Sequence, residues 1–182
     1  MRKGILSVMI GLAVLGVAGV IVAQTMPGLI PGAEPSSYGD WAVRCVERSG
    51  LLPCDIVQTL KDTKSKKPVM QISYSYMPEK DIYGAQVMLP LGFMINAGVL
   101  IRLDGKTDVT DYPVTRCEPE GCFVEKLVKP GELDSFRIAK AGVLIVLGKD
   151  GKPIAFPFSL KGFGDALASM VERNKRRSAK SP

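Results

Sequence analysis

Apolar and polar residues alternate with a period of two along most of this 182-residue chain. From Trp41 to Val46, the residues Trp41, Val43 and Cys45 share one face of an extended segment, and Arg44 falls on the other. Met70, Ile72, Tyr74 and Tyr76 alternate with Gln71, Ser73 and Ser75 in the same way. Further short strands are expected at Gly84–Leu89, Gly98–Leu103, Tyr112–Arg116 and Cys122–Val128, with Pro, Gly and Asp between them. Leu144–Gly148 and Lys152–Phe158 flank Asp150-Gly151, a dipeptide that tolerates positive φ and so suits a tight hairpin. Eight or nine short strands joined by polar turns predict an all-β fold, an antiparallel β-sandwich or barrel-like domain rather than a parallel sheet.

The pattern changes near the end of the chain. Phe163, Leu167, Met170 and Val171 fall at i, i+4, i+7 and i+8, the stripe of one C-terminal α-helix. Asp165 stands in its first turn and Arg173 to Arg177 in its last, as the helix dipole favours. The stripe is short, so packing on the sheet is the expectation and membrane binding the alternative. No internal repeat or second domain is apparent.

The N-terminal residues follow a different rule. Arg2 and Lys3 precede an uncharged run from Gly4 to Ala23, which then meets Gln24. Positive, apolar and small-residue regions in that order read as a signal peptide. The run is also long enough to cross a hydrocarbon core of about 30 Å as a helix, so residues 1–23 are expected to be a signal peptide or a retained membrane anchor. Both place the body outside the cytoplasm. Residues 24–37, with Pro27, Pro31 and Pro35, are expected to form a flexible linker. The β domain is expected over 38–171, and residues 172–182 as a basic, disordered tail.

The formal net charge of +6 invites a nucleic-acid reading, which the position of the charges rejects. Arg2 and Lys3 lie in the N-terminal segment, and Arg173, Lys175, Arg176, Arg177 and Lys180 lie in the last ten residues. Between them, residues 24–172 hold 17 basic and 18 acidic side chains. The folded body is thus close to neutral, and no nucleic-acid partner is expected. The basic C-terminal run instead suits contact with an anionic membrane or polysaccharide. Lys64, Lys66 and Lys67 form a smaller basic cluster suited to a hairpin loop.

Four cysteines behind an export signal are expected to form disulfides. Cys117 and Cys122 bracket a Glu-Pro-Glu-Gly turn, and Cys45 and Cys54 bracket a Gly- and Pro-containing loop, so the two local bridges are favoured over crossed pairings. Neither pair has Cys-x-x-Cys redox spacing, and a chain without histidine offers no usual zinc site. The lack of histidine also removes Ser-His-Asp and Cys-His catalysis. Asp104, Asp108 and Asp111 supply carboxylates but not the glycine and terminal glutamate of a calcium loop, and turn chemistry accounts for them. No catalytic, cofactor-binding or metal-binding residue is expected.

Several short motifs occur in order: Gly39-Asp40-Trp41-x-Val43-x-Cys45, Cys54 followed by Gln58, Leu89-Pro90-Leu91-Gly92, Cys117-x4-Cys122 with Gly121, and Ser159-Leu160-x-Gly162-Phe163-x-x-Ala166-Leu167. Together they resemble the invasion-associated locus B family of exported bacterial proteins, over residues 38 to 171. The resemblance implies an all-β protein of the periplasm or outer surface of a Gram-negative bacterium, of the alphaproteobacterial kind. Alternatively, the protein is anchored in the inner membrane and faces the periplasm. The family is named for invasion of host red cells by a pathogen, and similar proteins also occur in free-living bacteria. It supplies no catalytic residue to carry onto these positions.

The expected function is therefore that of a non-enzymatic binding module whose partner is an envelope or host protein. The alternatives are an accessory subunit anchored to an inner-membrane complex, and an exported enzyme working through carboxylates. A binder should show an exposed apolar patch or an open strand edge, an enzyme a cleft with convergent, perturbed acids. Trp41, Tyr74 and Tyr76 are the candidate binding patch, with core packing as the competing role.

Overall fold

The computed structural model describes residues 35–46 and 54–179. The expected signal or anchor 1–23, nearly all of the linker 24–37 and Lys180 lie outside the described residues. Eleven strands are present among the described residues: β1 (Ser36–Tyr38), β2 (Trp41–Cys45), β3 (Cys54–Lys61), β4 (Pro68–Met77), β5 (Ile82–Leu89), β6 (Val99–Leu103), β7 (Thr107–Tyr112), β8 (Val114–Glu118), β9 (Gly121–Val128), β10 (Ala141–Leu147) and β11 (Pro153–Ser159). Two α-helices accompany them, α1 (Asp134–Ile138) and α2 (Phe163–Ser178).

The strands form a seven-stranded sheet in the order β1-β2-β3-β4-β5-β9-β8 and a four-stranded sheet in the order β11-β10-β6-β7. Neighbouring strands pair antiparallel throughout. One buried core gathers Ile56, Ile72 and Val124 of the large sheet, Ile101 and Leu144 of the small one, and Phe163 and Leu167 of α2. The fold is the expected antiparallel β-sandwich with a C-terminal helix.

Pro113 decides how the two sheets join. The segment expected as one strand at Tyr112–Arg116 is divided there, because proline donates no backbone N–H and restricts the residue before it. β7 ends in the small sheet and β8 begins in the large one. The opposite seam brings β11 against β2 and β3. Gly39 and Gly162 both adopt positive φ there, +57° and +83°, and approach each other's strands closely. A Cβ on Gly162 would overlap the Tyr38 carbonyl oxygen, and one on Gly39 would lie 2.5 Å from that of Lys161. The Asp40 N–H donates to the Lys161 carbonyl at 3.0 Å, closing the seam.

Three expectations change. Ser36 and Ser37 belong to β1 rather than to a linker. A short helix, α1, precedes β10, too brief to show a helical period but sufficient to bury Phe136. The basic residues Arg173, Lys175, Arg176 and Arg177 lie within α2, which runs to Ser178, and not in a disordered tail from 172. The buried stripe extends past Met170 to Asn174, so the sheet holds the helix for one turn beyond its last buried apolar residue.

Candidate binding surfaces

The aromatic patch expected at Trp41, Tyr74 and Tyr76 is interior rather than surface. These residues are 1, 1 and 5% exposed. They fall on the inner face of the large sheet, where α2 and α1 cover them. Trp41 and Tyr74 meet the Phe163 ring at 5.0 and 5.5 Å, and Phe136 stands 6.1 Å from Tyr74. Burying such rings contributes about 1.5–3 kcal/mol each, and edge-on contacts add to it. The Trp41 Nε1–H donates to the Ser159 carbonyl at 2.9 Å, so even its polar atom serves the seam. Burial pushes the Tyr74 phenol well above its ordinary pKa, and Tyr112 adds to the shift. The Tyr76 hydroxyl donates to Asp81 Oδ1 at 2.7 Å, and that bond, with burial, raises its pKa to about 12.

Both disulfides are the local ones. Cys45 bonds Cys54 and Cys117 bonds Cys122, each pair directly opposite across neighbouring strands with Cα atoms 4.0 Å apart. The first ties β2 to β3 inside the core, and the second closes the β8–β9 hairpin. The three aspartates of the 104–111 region do separate tasks. Asp104 accepts from the Lys140 and Ala141 N–H groups, Asp108 forms a two-pronged pair with Arg102, and Asp111 takes a positive φ at a bend in β7. Among the described residues no group of acids or cysteines is arranged to hold a metal.

A trough of about 610 Å³ lies on the outer face of the large sheet. Its floor is Ser73, Ser75 and Gly84, small residues on adjacent strands, and its walls include Arg44, Asp55, Gln86, Glu125 and Leu127. The acids in it are engaged. Arg44 donates to both oxygens of Asp55 at 2.8 and 2.9 Å, while Glu125 accepts from Gln86 and Thr115 and pairs with Arg116. Arg116 holds the Glu125 carboxyl below its ordinary range. Asp62, Glu79, Asp108 and Glu132 are lowered as well, by hydrogen bonds from Ser65, Ser178, Arg102 and the Lys129 backbone. Groups held ionised in this way can accept hydrogen bonds but make poor proton donors near neutral pH.

The β11 edge is closed to another strand. The Ser159 N–H points to Gln58 while the Leu160 N–H points to Lys140 on the β10 side, so the odd-numbered residues of β11 direct their backbone outward. Pro153 and Pro157 are odd-numbered and carry no N–H, and Ser159 is engaged, which leaves Ala155 as the sole outward donor of the strand. Prolines placed this way block edge-to-edge pairing.

The exposed apolar side chains concentrate elsewhere. Leu91, Met94, Ile95, Leu147 and Ile154 make up five of the seven large apolar residues that stay exposed among the described residues, with Leu91 and Ile95 at 57 and 56%. All five lie at one end of the sandwich. The loop after β5 bridges the end of β10 through Phe93 and Gly148, and the Met94 N–H donates to the Leu147 carbonyl at 2.8 Å. Pro90 and Gly92 keep the part of this apolar run after Leu89 out of a strand, and beyond Leu89, which ends β5, only Phe93 of its large side chains reaches the core. The Leu-Pro-Leu-Gly-Phe-Met-Ile run signals this surface in the sequence, since apolar residues flanked by turn formers have no periodic face to bury.

Two residues that sequence reasoning left without a role anchor the helix side. Asn174 is fully buried in α2. Its Oδ1 accepts from the Cys54 N–H at 3.2 Å, and its Nδ2 donates to the carbonyls of Cys54 and Tyr76 at 3.0 and 3.2 Å. Gln58 holds the β11 seam with a similar set of bonds. Neither is recognisable from pattern, since each is a polar residue at a position where the period calls for an apolar one.

A family model described as invasion associated locus B (IalB) protein matches residues 41–171. An invasion protein B homolog of Brucella abortus strain 2308 is 26% identical over 153 residues, covering 80% of this chain and 83% of the relative. The homolog of Brucella abortus biovar 1, strain 9-941, matches with the same figures. The crystal structure of invasion associated protein B from Bartonella henselae superposes with a TM-score of 0.70 at 20% identity, covering 79% of this chain and 99% of that one.

Proposed function

The chain belongs to the invasion-associated locus B family, and from that premise we propose that it is an exported envelope protein that binds another protein and catalyses no reaction. The apolar end of the sandwich carries this reading. Five large apolar side chains on the loop after β5 and the β10–β11 hairpin face solvent where folding alone would hide them, and such groupings mark interaction surfaces. Among the described residues no acids with raised pKa converge beside Leu91 and Ile95, and the acids in the trough are engaged in ion pairs. Export rests on the n-region and apolar run of residues 1–23 and agrees with two disulfides that need an oxidising compartment. The relatives named for invasion suggest a host-facing partner where the source organism is a pathogen.

The test is photo-crosslinking in the native envelope from single positions. A crosslinker at Leu91 or Ile95 is expected to yield one discrete adduct that a crosslinker at Ser75, in the trough, does not yield. Adducts from Ser75 alone would move the binding surface to the trough. Export is checked by fractionation and by the N-terminus of the recovered protein.

A further inference from the structure

The end of the sandwich opposite the apolar loops gathers the cations of α2. β3 runs from Cys54 to Lys61 and β5 from Ile82 to Leu89, so Cys54, Met77 and Ile82 mark one end of the large sheet and Lys61, Pro68 and Leu89 the other. The last turns of α2 lie at the Cys54 end, because Asn174 binds Cys54 and Tyr76, and Ser178 donates to Glu79. Arg173, Lys175, Arg176 and Arg177 therefore gather there. The helix dipole amounts to about half a negative charge at this terminus, far less than four cations are needed to offset. Local acids leave a surplus too. Glu172, which pairs with Arg176 at 3.4 Å, Glu79 and Asp81 stand there against five cations, the four of α2 and Lys80. Among the described residues no carboxylate pairs with Lys175 or Arg177, and Lys175 rests over the Tyr76 ring at 5.8 Å.

The chain also enters the domain at this end. Arg173 Nη2 donates to Ser36 Oγ at 2.7 Å, fixing the start of β1 beside the basic turns of α2. The twelve residues 24–35 separate that point from the uncharged run 4–23 and can span at most about 40 Å. We propose that the cationic end of α2 is a docking site for anionic phospholipid headgroups, so that the domain sits on a bilayer with this end down and its apolar loops pointing away. The charges and the chain entry share one end, so a bilayer holding the run 4–23 would lie within reach of all four cations. Near-surface lysines and arginines are attracted to anionic leaflets by a roughly additive amount per charge.

Amine footprinting of the chain as recovered from its envelope tests this. The protein is mixed with vesicles of phosphatidylcholine alone or with phosphatidylglycerol, and lysine acetylation is read by mass spectrometry. Lys175 is expected to be protected only on the phosphatidylglycerol vesicles, and high salt should abolish the effect. Lys64, Lys66 and Lys67, in the loop at the opposite end, should label equally on both. Arg176→Gln and Arg177→Gln should each weaken the phosphatidylglycerol dependence about fivefold, without touching the Arg173–Ser36 bond. Equal labelling of Lys175 on both vesicles, or protection of the Lys64–Lys67 loop instead, would overturn the proposal. Protection by soluble heparin but not by phosphatidylglycerol would reassign the site to a polysaccharide and overturn it as well.

Discussion

The side-chain amide of Gln58 on β3 binds the backbone of Ser159 on β11 at both ends, 101 residues away: Nε2 donates to the Ser159 carbonyl at 3.0 Å, and Oε1 accepts from its N–H at 3.0 Å. The amide thus does what a neighbouring strand would do, joining the small sheet to the large one where no ladder crosses. Nε2 also reaches the Asp40 carbonyl at 3.1 Å, so one side chain ties three segments.

Gln58→Ala removes those bonds and leaves the part-buried Ser159 N–H without its partner, while the Ser159 carbonyl keeps the Trp41 Nε1–H. The expected loss is about 2–3 kcal/mol, seen as a lower urea midpoint at unchanged m-value. An unchanged midpoint would mean that water replaces the amide and that the seam is held by Trp41 and the glycines alone.

Asn174→Ala should cost a similar amount, about 2–3 kcal/mol, but with a local signature. Tryptic cleavage at Arg173 to Arg177 should accelerate while hydrogen exchange in β4 and β5 stays slow. Asn174→Asp should be worse, because a carboxylate would face the carbonyls of Cys54 and Tyr76, which now receive hydrogen bonds.

Replacing either disulfide by a serine pair should cost about 2–3 kcal/mol through loop-closure entropy, somewhat more for Cys45–Cys54 because its loop is longer. The Cys45–Cys54 pair is also buried, so hydroxyls there are disfavoured further. Non-reducing digestion should yield Cys45 linked to Cys54 and Cys117 linked to Cys122, and no crossed peptide.

Stability should fall in alkali in a way that depends on Tyr76. Its phenol is raised from an ordinary value near 10 to about 12 by the bond to Asp81 and by burial. A raised folded-state pKa favours the neutral form, so its contribution is complete below about pH 10 and is lost as pH rises toward about 12. Tyr76→Phe should therefore be destabilising at pH 7 and show a shallower loss above pH 10. Some slope should remain, since burial raises Tyr112 to about 12 as well. An identical alkaline slope in the variant would show that Tyr76 ionises outside this window.

Much of the fold is legible in the sequence. Alternation at Trp41–Cys45 and Met70–Tyr76 located β2 and β4, Asp150-Gly151 located the β10–β11 hairpin, and the 163–171 stripe located α2. β3 was harder, because Gln58 occupies an inward position and Asp55 is buried on the outer face against Arg44, which erases the alternation. β7 is an edge strand with few buried residues and needs no strong pattern. The binding surface was less legible. Trp41, Tyr74 and Tyr76 were candidates because aromatic rings serve cores and binding sites equally well, and composition does not distinguish the two.

By itself the sequence determined what depends on neighbours along the chain: strand periodicity, turn residues, the close spacing of the cysteine pairs, the apolar N-terminal run and the concentration of cations near the C-terminus. Tertiary structure alone decided what depends on distant partners. It set which face of each strand is covered, so the three aromatic residues became core. It gave Gln58 and Asn174 backbone partners 101 and 120 residues away. It also placed the apolar loops and the basic end of α2 at opposite ends of one sandwich. The division follows from range: φ/ψ preferences and periodicity act over a few residues, whereas burial and buried hydrogen bonds depend on which strands the chain brings side by side.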